Sequence, residues 1–296
     1  LDDYFKGIIS QRYENIELLI IDDNSTDNSV DIIKKWLPKL NQRFERVVFS
    51  KNQKNLGVVK TCNLLLQQAR GKYIKMFATD DIMLEGEIER KVSILEDNVN
   101  IDLCYSNVYI VPSSYHFGNP IINMPKFYNT HTVVQGQNLF EKLMVGNFIP
   151  APSVMLRKTV FDKFGSFDEN FRFEDYEYWL RISRYITVKY DPVVNICYRK
   201  SENSMTNFKG KLGKKRFLNN LMENKRIIDK YIRYVTPQKR KQIMNNFYFK
   251  SLNEAIHFKQ KGVAKKLYKS LKVKGCKIEW DFKKKYILLL YNPFIS

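Results

Sequence analysis

The sequence predicts an α/β fold, a mostly parallel sheet flanked by helices, continued by a basic helical C-terminal region. Three observations carry this. Apolar strand-like runs alternate with amphipathic helical stretches through the first two thirds of the chain, the pattern of repeated βα units. Three of the chain's acidic pairs, Asp22-Asp23, Asp80-Asp81 and Glu174-Asp175, punctuate those elements. The first two stand just past apolar runs, where an open parallel sheet presents its ligand crevice. Charge supplies the third: residues 1–206 hold 26 Lys+Arg against 26 Asp+Glu, while residues 207–296 hold 24 against 5, so the whole formal excess of +19 lies in the last third. A division into 1–206 and 207–296 follows.

Taken in order, Leu1 to Ser10 reads as a helix. Ile16 to Ile21 is a nearly continuous apolar run, as expected of a strand buried on both faces. After the polar stretch Asp22 to Asp27, Ser29 to Leu37 carries Val30, Ile32, Ile33 and Trp36 at helical spacing. Arg46 to Phe49 is a short strand, Asn55-Leu56-Gly57 a turn, and Val58 to Ala69 a helix. Tyr73 to Phe77 is a third strand running into Ala78-Thr79-Asp80-Asp81. Glu85 to Leu95 is a charged amphipathic helix and Ile101 to Val111 a strand. Pro112 to Thr132, rich in Pro, Asn, Ser and Tyr, reads as a loop or β-ribbon insertion over the site. Asn138 to Met144 is helical, Ser153 to Leu156 a short strand, Val160 to Phe164 a turn or two of helix, Glu174 to Tyr185 a helix and Val188 to Tyr198 the last strand. Helices then follow at Arg216 to Tyr234, Pro237 to Lys259 and Val263 to Leu271.

Several classes are disfavoured. The four cysteines stand far apart without a CxxC pair, which argues against structural zinc and for a reducing, cytoplasmic setting. No run reaches the roughly 18 to 20 apolar residues that span a bilayer. The three histidines lack metal-ligand spacing, and GxGxxG, GxxxxGK[ST] and GxSxG are all absent. The chain opens on Leu1 without a methionine, and an earlier segment is expected before it.

Each acidic pair has a plain reading beside a chemical one. Asp22 to Asp27 offers favoured helix N-cap residues; equally, a strand-end carboxylate there can accept the imide N–H of a uracil-like base. Asp80-Asp81 fits a solvated turn, yet adjacent carboxylates repel and persist most readily where a cation or donors compensate. In that reading Asp80 reaches a Mg2+ or Mn2+ ion bridging the phosphates of a nucleotide diphosphate. Glu174 and Asp175 open a helix, where the positive helix end would keep them ionised. Asp175 then suits a general base, with Trp179 one turn on anchoring it against the core.

These motifs carry a resemblance. Ile21-Asp22-Asp23-Asn24-Ser25-Thr26-Asp27-Asn28-Ser29, Asn55-Leu56-Gly57 with Asn63, Gly71-Lys72-Tyr73-Ile74, Ala78-Thr79-Asp80-Asp81, Gly165-Ser166-Phe167-Asp168-Glu169 and Phe173-Glu174-Asp175-Tyr176-Glu177-Tyr178-Trp179-Leu180-Arg181 make residues 1 to about 206 resemble a family 2 glycosyltransferase of the GT-A fold, Rossmann-like and inverting, of the bacterial polysaccharide and glycolipid type. The resemblance implies a nucleotide-sugar donor, a UDP-sugar by analogy, and a glycan or lipid-linked acceptor. It implies that Asp22 or Asp23 contacts the base, that Asp80 lies nearest the divalent cation and diphosphate, that Asp81 supports the donor sugar or its loop, and that Asp175 is the catalytic base, with Glu174 and Trp179 in support. Two positions depart from the family's pattern: Ala78 stands where many relatives have an aspartate, and Ser201 where many have a histidine. The family's first strand would precede Leu1, and a protein beginning here should bind donor poorly.

Lys283-Lys284-Lys285 beside Tyr286 to Tyr291 suits an interfacial anchor on an anionic membrane, placing the protein peripherally on the inner face of the cell membrane. Nucleic acid ranks below this because no recognised nucleic-acid motif accompanies the charge. Rival readings are a catalytically impaired scaffold on a glycosyltransferase-like core and a nucleotidyltransferase; the latter lacks its early Gly-rich basic loop.

Overall fold

The protein is described by a computed structural model covering residues 1–126, 136–200 and 210–273, with 283, 286 and 287. It folds into two units, Leu1–Phe140 with Asn147–Ser201, and Glu141–Gly146 with Glu202–Ser296.

The first unit runs α1 (Asp2–Ile9), β1 (Glu17–Asp22), α2 (Ser29–Arg43), β2 (Arg46–Lys51), α3 (Val58–Gln68), β3 (Tyr73–Ile74), β4 (Ile82–Met83), α4 (Glu87–Glu96), β5 (Leu103–Ser106) and β6 (Tyr109–Pro112). The first part of α5 (Gly136–Val145) belongs here, followed by β7 (Met155–Arg157), α6 (Lys158–Phe164), α7 (Glu174–Ile182), β8 (Val188–Asp191) and β9 (Ile196–Lys200). The expected α/β class holds, with mixed sheets. Strands β1/β2, β5/β8 and β6/β9 pair parallel, whereas β3/β7, β5/β7 and β4/β9 pair antiparallel. They form the orders β1-β2, β3-β7-β5-β8 and β4-β9-β6.

Several elements depart from expectation for physical reasons. β1 is not buried on both faces: Leu18, Ile20 and Asp22 point inward and the residues between them are half-buried, the alternation of a strand covered on one side. α2 continues through Pro38 to Arg43. Its second half buries Leu40, and Phe44 just beyond its end, with Tyr4, Phe5, Leu18 and Ile20, and Arg43 donates to the carbonyls of Gln11 and Tyr13; that packing outweighs the hydrogen bond lost at proline. The run 101–111 divides at buried Asn107, whose Oδ1 accepts from Val108 N at 2.9 Å while Ser106 Oγ donates to the Asn107 carbonyl at 3.0 Å. Such local bonds compete with a strand ladder. The run 188–198 divides after Asp191, where Pro192 cannot donate to a ladder.

Two buried ion pairs involve α4. Lys75 Nζ meets Glu87 Oε1 and the Pro152 carbonyl, each at 2.8 Å. Asp191 is held by Lys91 Nζ at 3.1 Å and by Arg90 Nε at 2.8 Å. These partners outweigh the burial that opposes ionisation and hold the Asp191 carboxyl below its ordinary range. The helix α1 comes close to this part of the fold: a Cβ on Gly7 would stand 2.3 Å from the Met83 carbonyl oxygen, so only glycine lets α1 lie against β4.

The second unit contains the rest of α5, then α8 (Gly210–Tyr231), α9 (Pro237–His257) and α10 (Lys261–Val273). Thr236 caps α9, with Pro237 at its first position. Phe217, Leu252, Ala255, Val263, Ala264, Leu267, Leu271 and Tyr286 make the core, and Tyr286 stacks on Tyr268 at 4.1 Å. On α10 the apolar positions face this core, while Lys265, Lys266, Lys269, Lys272 and Val273 are exposed. Most of 282–291, including Lys284 and Lys285, lies outside the described residues, as do Ser201, the 206/207 boundary and His131. Among the described residues no helix is long and apolar enough to cross a membrane.

Candidate active site

β1 delivers Asp22 and Asp23 at its carboxyl end, and the two side chains do different work. Asp22 is buried, and its Oδ2 accepts from Ser25 N at 3.0 Å; its Oδ1 has no donor among the described residues. Asn24, between them and Ser25, adopts left-handed φ of 61°, which asparagine tolerates. Asp23 reaches across to the start of α3. Its Oδ1 accepts from Leu56 N and Asn52 Nδ2 and its Oδ2 from Gly57 N, all at 2.8 Å. Burial opposes ionisation there, but these donors with the Thr61 hydroxyl hold the Asp23 carboxyl below its usual range. Gly57 has φ 85°, a conformation side chains rarely adopt, so Asp23 and Gly57 together fix the entry into α3.

Asp80 and Asp81 fall between β3 and β4. The strand expected to reach Phe77 pairs only through Ile74; Lys75 turns instead into its buried ion pair. Asp80 is exposed and Asp81 is 2% exposed. Asp81 Oδ1 accepts from Arg199 N at 3.0 Å, binding this loop to β9. Burial, and then the neighbouring Asp80 charge, push the Asp81 carboxyl up to about 8. The Arg199 guanidinium continues to Asp3 Oδ2 at 3.1 Å, and Asp3 also takes His116 Nδ1 at 2.9 Å and Phe117 N at 3.1 Å. The segment after β6 is thereby tied to α1 and β9. It returns as a ribbon, Ile110 N donating to the Pro125 carbonyl at 2.8 Å; residues 127–135 lie outside the described ones.

Glu174 and Asp175 open α7, as the sequence indicates, but helix-end stabilisation does not govern them. Both residues are half-buried, their carboxyls packed among protein atoms. Burial and then the Asp175 charge push Glu174 up to about 8, and burial raises Asp175 as well. Desolvation thus exceeds the fraction of a charge that a helix start offers. Asp175 Oδ1 accepts from Tyr176 N at 2.7 Å and Oδ2 from Asn147 Nδ2 at 3.0 Å. Trp179 is buried against Tyr178; no bond from Trp179 to Asp175 occurs among the described residues, so any anchoring passes through packing.

α3 relates the first and third pairs. Its start is held by Asp23, Cys62 on it faces Glu174, and Asn63 Nδ2 donates to the Phe167 carbonyl at 3.0 Å while its Oδ1 accepts from Phe167 N at 3.0 Å. No direct contact joins Asp80 or Asp81 to Asp175 among the described residues. Asn147 was invisible to motif reasoning: it sits in an irregular stretch, Gly146 to Pro150, with no periodic signal.

A divalent cation suits this donor set in one way only. Among the described residues no group of three or more His, Cys, Asp or Glu could hold a metal ion. One exposed carboxylate, Asp80, fits a Mg2+ or Mn2+ ion that is held largely by the phosphates and water of a bound nucleotide, rather than an ion caged by protein.

The arrangement is that of the GT-A fold. The sequence profile of glycosyl transferase family 2 matches residues 1–164, and the chain belongs to that family. An uncharacterized glycosyltransferase of Methanocaldococcus jannaschii is 28% identical over 182 residues, covering 61% of this chain and 59% of the relative. The Escherichia coli UDP-Glc:alpha-D-GlcNAc-diphosphoundecaprenol beta-1,3-glucosyltransferase WfgD is 27% identical over 225 residues, 74% of this chain and 79% of that protein. This chain spans 61% of another similar protein, an uncharacterized glycosyltransferase of Haemophilus influenzae that is 28% identical. Among solved structures, the mannosyltransferase PcManGT from Pyrobaculum calidifontis in complex with GDP-Man and Mn2+ matches 99% of this chain and 77% of its own at TM-score 0.59 and 12% identity. S. aureus TarS in complex with UDP-GlcNAc matches 97% and 86% at TM-score 0.53 and 16% identity. At these identities the likeness is one of fold.

Proposed function

We propose that the protein transfers a sugar, with inversion, from a nucleotide-diphosphate donor to a hydroxyl of a glycan or lipid-linked glycan, in the synthesis of cell-surface polysaccharide. The observation that carries this reading is the half-buried Asp175 carboxylate, oriented by two N–H donors at the start of α7. Its raised affinity for a proton suits a general base working near neutral pH. Family membership and the E. coli relatives, named for UDP-Glc and a diphosphoundecaprenol-linked acceptor, support a UDP-sugar donor and a lipid-linked acceptor.

In the reaction, Asp175 takes the proton of the acceptor hydroxyl as that oxygen forms a bond to the anomeric carbon. The bond from that carbon to the diphosphate oxygen breaks, and its electron pair leaves with the nucleotide diphosphate. Asp22, with one carboxylate oxygen open, meets the base, while Asp23 builds the wall behind it. Asp81 holds the donor loop to β9. A Mg2+ or Mn2+ ion on the phosphates, held by Asp80, would neutralise the leaving group's charge.

Residues 1–206 form the transferase domain in this reading and 207–296 a basic extension that brings the protein to the inner face of the cell membrane. Lys265, Lys269 and Lys272, with exposed Val273, lie on one face of α10, a combination of cations and an apolar side chain suited to an anionic lipid surface. Co-sedimentation with anionic liposomes that exceeds RNA binding at matched salt supports this; the reverse order overturns it.

The central test is a panel of sugar nucleotides with released nucleotide diphosphate as readout, run with the wild type and Asp175→Asn. One donor should be turned over by the wild type, and the variant should lose turnover by about 100-fold or more while keeping its donor affinity. Full turnover by Asp175→Asn removes Asp175 from the role.

A further inference from the structure

We propose that Asn147 is the positioning residue of the base: it clamps the Asp175 carboxylate and makes Asp175, rather than its neighbour Glu174, the ionised member of the pair. The inference rests on the reading of Asp175 given above.

The Asn147 side chain is pinned at both ends. Its Oδ1 accepts from Ile149 N at 3.1 Å, which fixes Nδ2 as the end that donates to Asp175 Oδ2 at 3.0 Å. A flipped amide would lose both bonds and set oxygen against oxygen. With Tyr176 N at 2.7 Å on the other oxygen, each Asp175 oxygen has a donor. Glu174, also half-buried, has its own backbone N–H as its one favourable partner among the described residues.

Two adjacent, half-buried carboxyls repel when both are ionised, so the charge settles on the one with more donors. Among the described residues the titratable groups that interact with the pair are Tyr176 on the same helix, whose burial and proximity to Asp175 keep its phenol protonated, and Cys62 on α3, whose thiol burial pushes up to about 12. Both stay neutral at working pH. The choice between the two carboxyls therefore falls to hydrogen bonding, and Asn147 supplies the only donor to either that comes from outside α7 among the described residues.

The test uses Asn147→Leu, close in shape and without a donor, and Asn147→Ser, which restores a shorter donor. Removing a donor to the carboxylate raises its proton affinity, so the acid limb of the kcat/KM profile in Asn147→Leu should move upward by about one pH unit. kcat near neutrality should fall about tenfold, and donor affinity measured by calorimetry should not change. Asn147→Ser should recover part of the limb's position. A structural role alone would lower the melting temperature and the rate in both variants with the limb unmoved, and that result overturns the proposal. If Asp175→Asn keeps full turnover, the functional reading itself has failed. If Asp175→Asn is inactive and the Asn147→Leu limb stays in place, only this inference has.

Discussion

Lys91 Nζ and Asp191 Oδ2 stand 3.1 Å apart with side chains 0% and 1% exposed. The pair joins α4 to the end of β8. Replacing both partners with apolar groups of similar volume can be nearly neutral, whereas removing one leaves a charge stranded in a dry interior. Asp191→Asn should therefore cost about 3 to 5 kcal/mol in denaturant unfolding. The sign with pH is also fixed. The folded carboxyl titrates below its unfolded value of 3.8, so its contribution is complete above that pH and is lost as pH falls further. The destabilisation by Asp191→Asn should be full at pH 7 and shrink in acid; an effect that grew in acid would refute the assignment.

Glu174 carries the opposite signature. Its folded carboxyl titrates near 8 against an ordinary 4.5. As pH rises between those values the unfolded chain releases a proton that the folded one keeps, so stability declines across that window. Glu174→Gln removes the decline. Thermal melts should show the variant gaining on the wild type from pH 5 to pH 8, and a gap that stays constant with pH would show that burial does not govern Glu174.

Asp23 holds the turn that leads into α3. Asp23→Ala removes the acceptor for Leu56 N and Gly57 N together and should cost about 1 to 2 kcal/mol. Hydrogen exchange should quicken first at Gly57 to Thr61, where the helix starts. Exchange there matching the wild type would mean the loop holds its shape without Asp23.

Gly7 has no room for a side chain. Gly7→Ala would drive a methyl into the Met83 carbonyl and, by the usual cost of overpacking, lower stability by about 1 to 3 kcal/mol. An unchanged midpoint in urea would show that α1 shifts away from β4 freely.

Asp80 is the exposed member of its pair. Asp80→Ala should weaken Mg2+- or Mn2+-dependent binding of nucleotide diphosphate, measured by calorimetry, and leave metal-free binding in place. Retention of the full metal effect would remove Asp80 from that role.

Much of the fold was legible because apolar periodicity reports burial directly. Val30, Ile32, Ile33 and Trp36 mark the first part of α2, while its continuation past Pro38 is set by tertiary packing of Leu40; the strand–acid–helix sequence around Asp22 gives the first βα unit its form. The breaks at Asn107 and after Asp191 are missed because apolar residues resume directly beyond each, Val108 to Val111 and Val193-Val194; Pro192 is a readable local signal for the second, whereas the change of strand partner at Asn107 leaves little local trace. At the site, motifs supplied the carboxylates but not their condition. Helix polarity argues that Glu174 and Asp175 both stay ionised, and packing by residues distant in sequence reverses this for Glu174 and raises the proton affinity of Asp175. Asn147 lies in an irregular stretch, and its alignment with Asp175 is produced by tertiary structure alone.

The segments 103–112 and 188–200 each leave one sheet and enter another, and they do so side by side, β5 with β8 and then β6 with β9. Neither crossing has its parallel partner until the later segment has been synthesised. A nascent chain released from the ribosome before residue 188 would hold β5 and β6 as open edges, the kind of surface that recruits other strands. Vectorial synthesis thus leaves this unit a period of vulnerability that closes only when β9 arrives, and substitutions that slow that arrival should appear as aggregation during expression while the mature protein's melting temperature is unaffected.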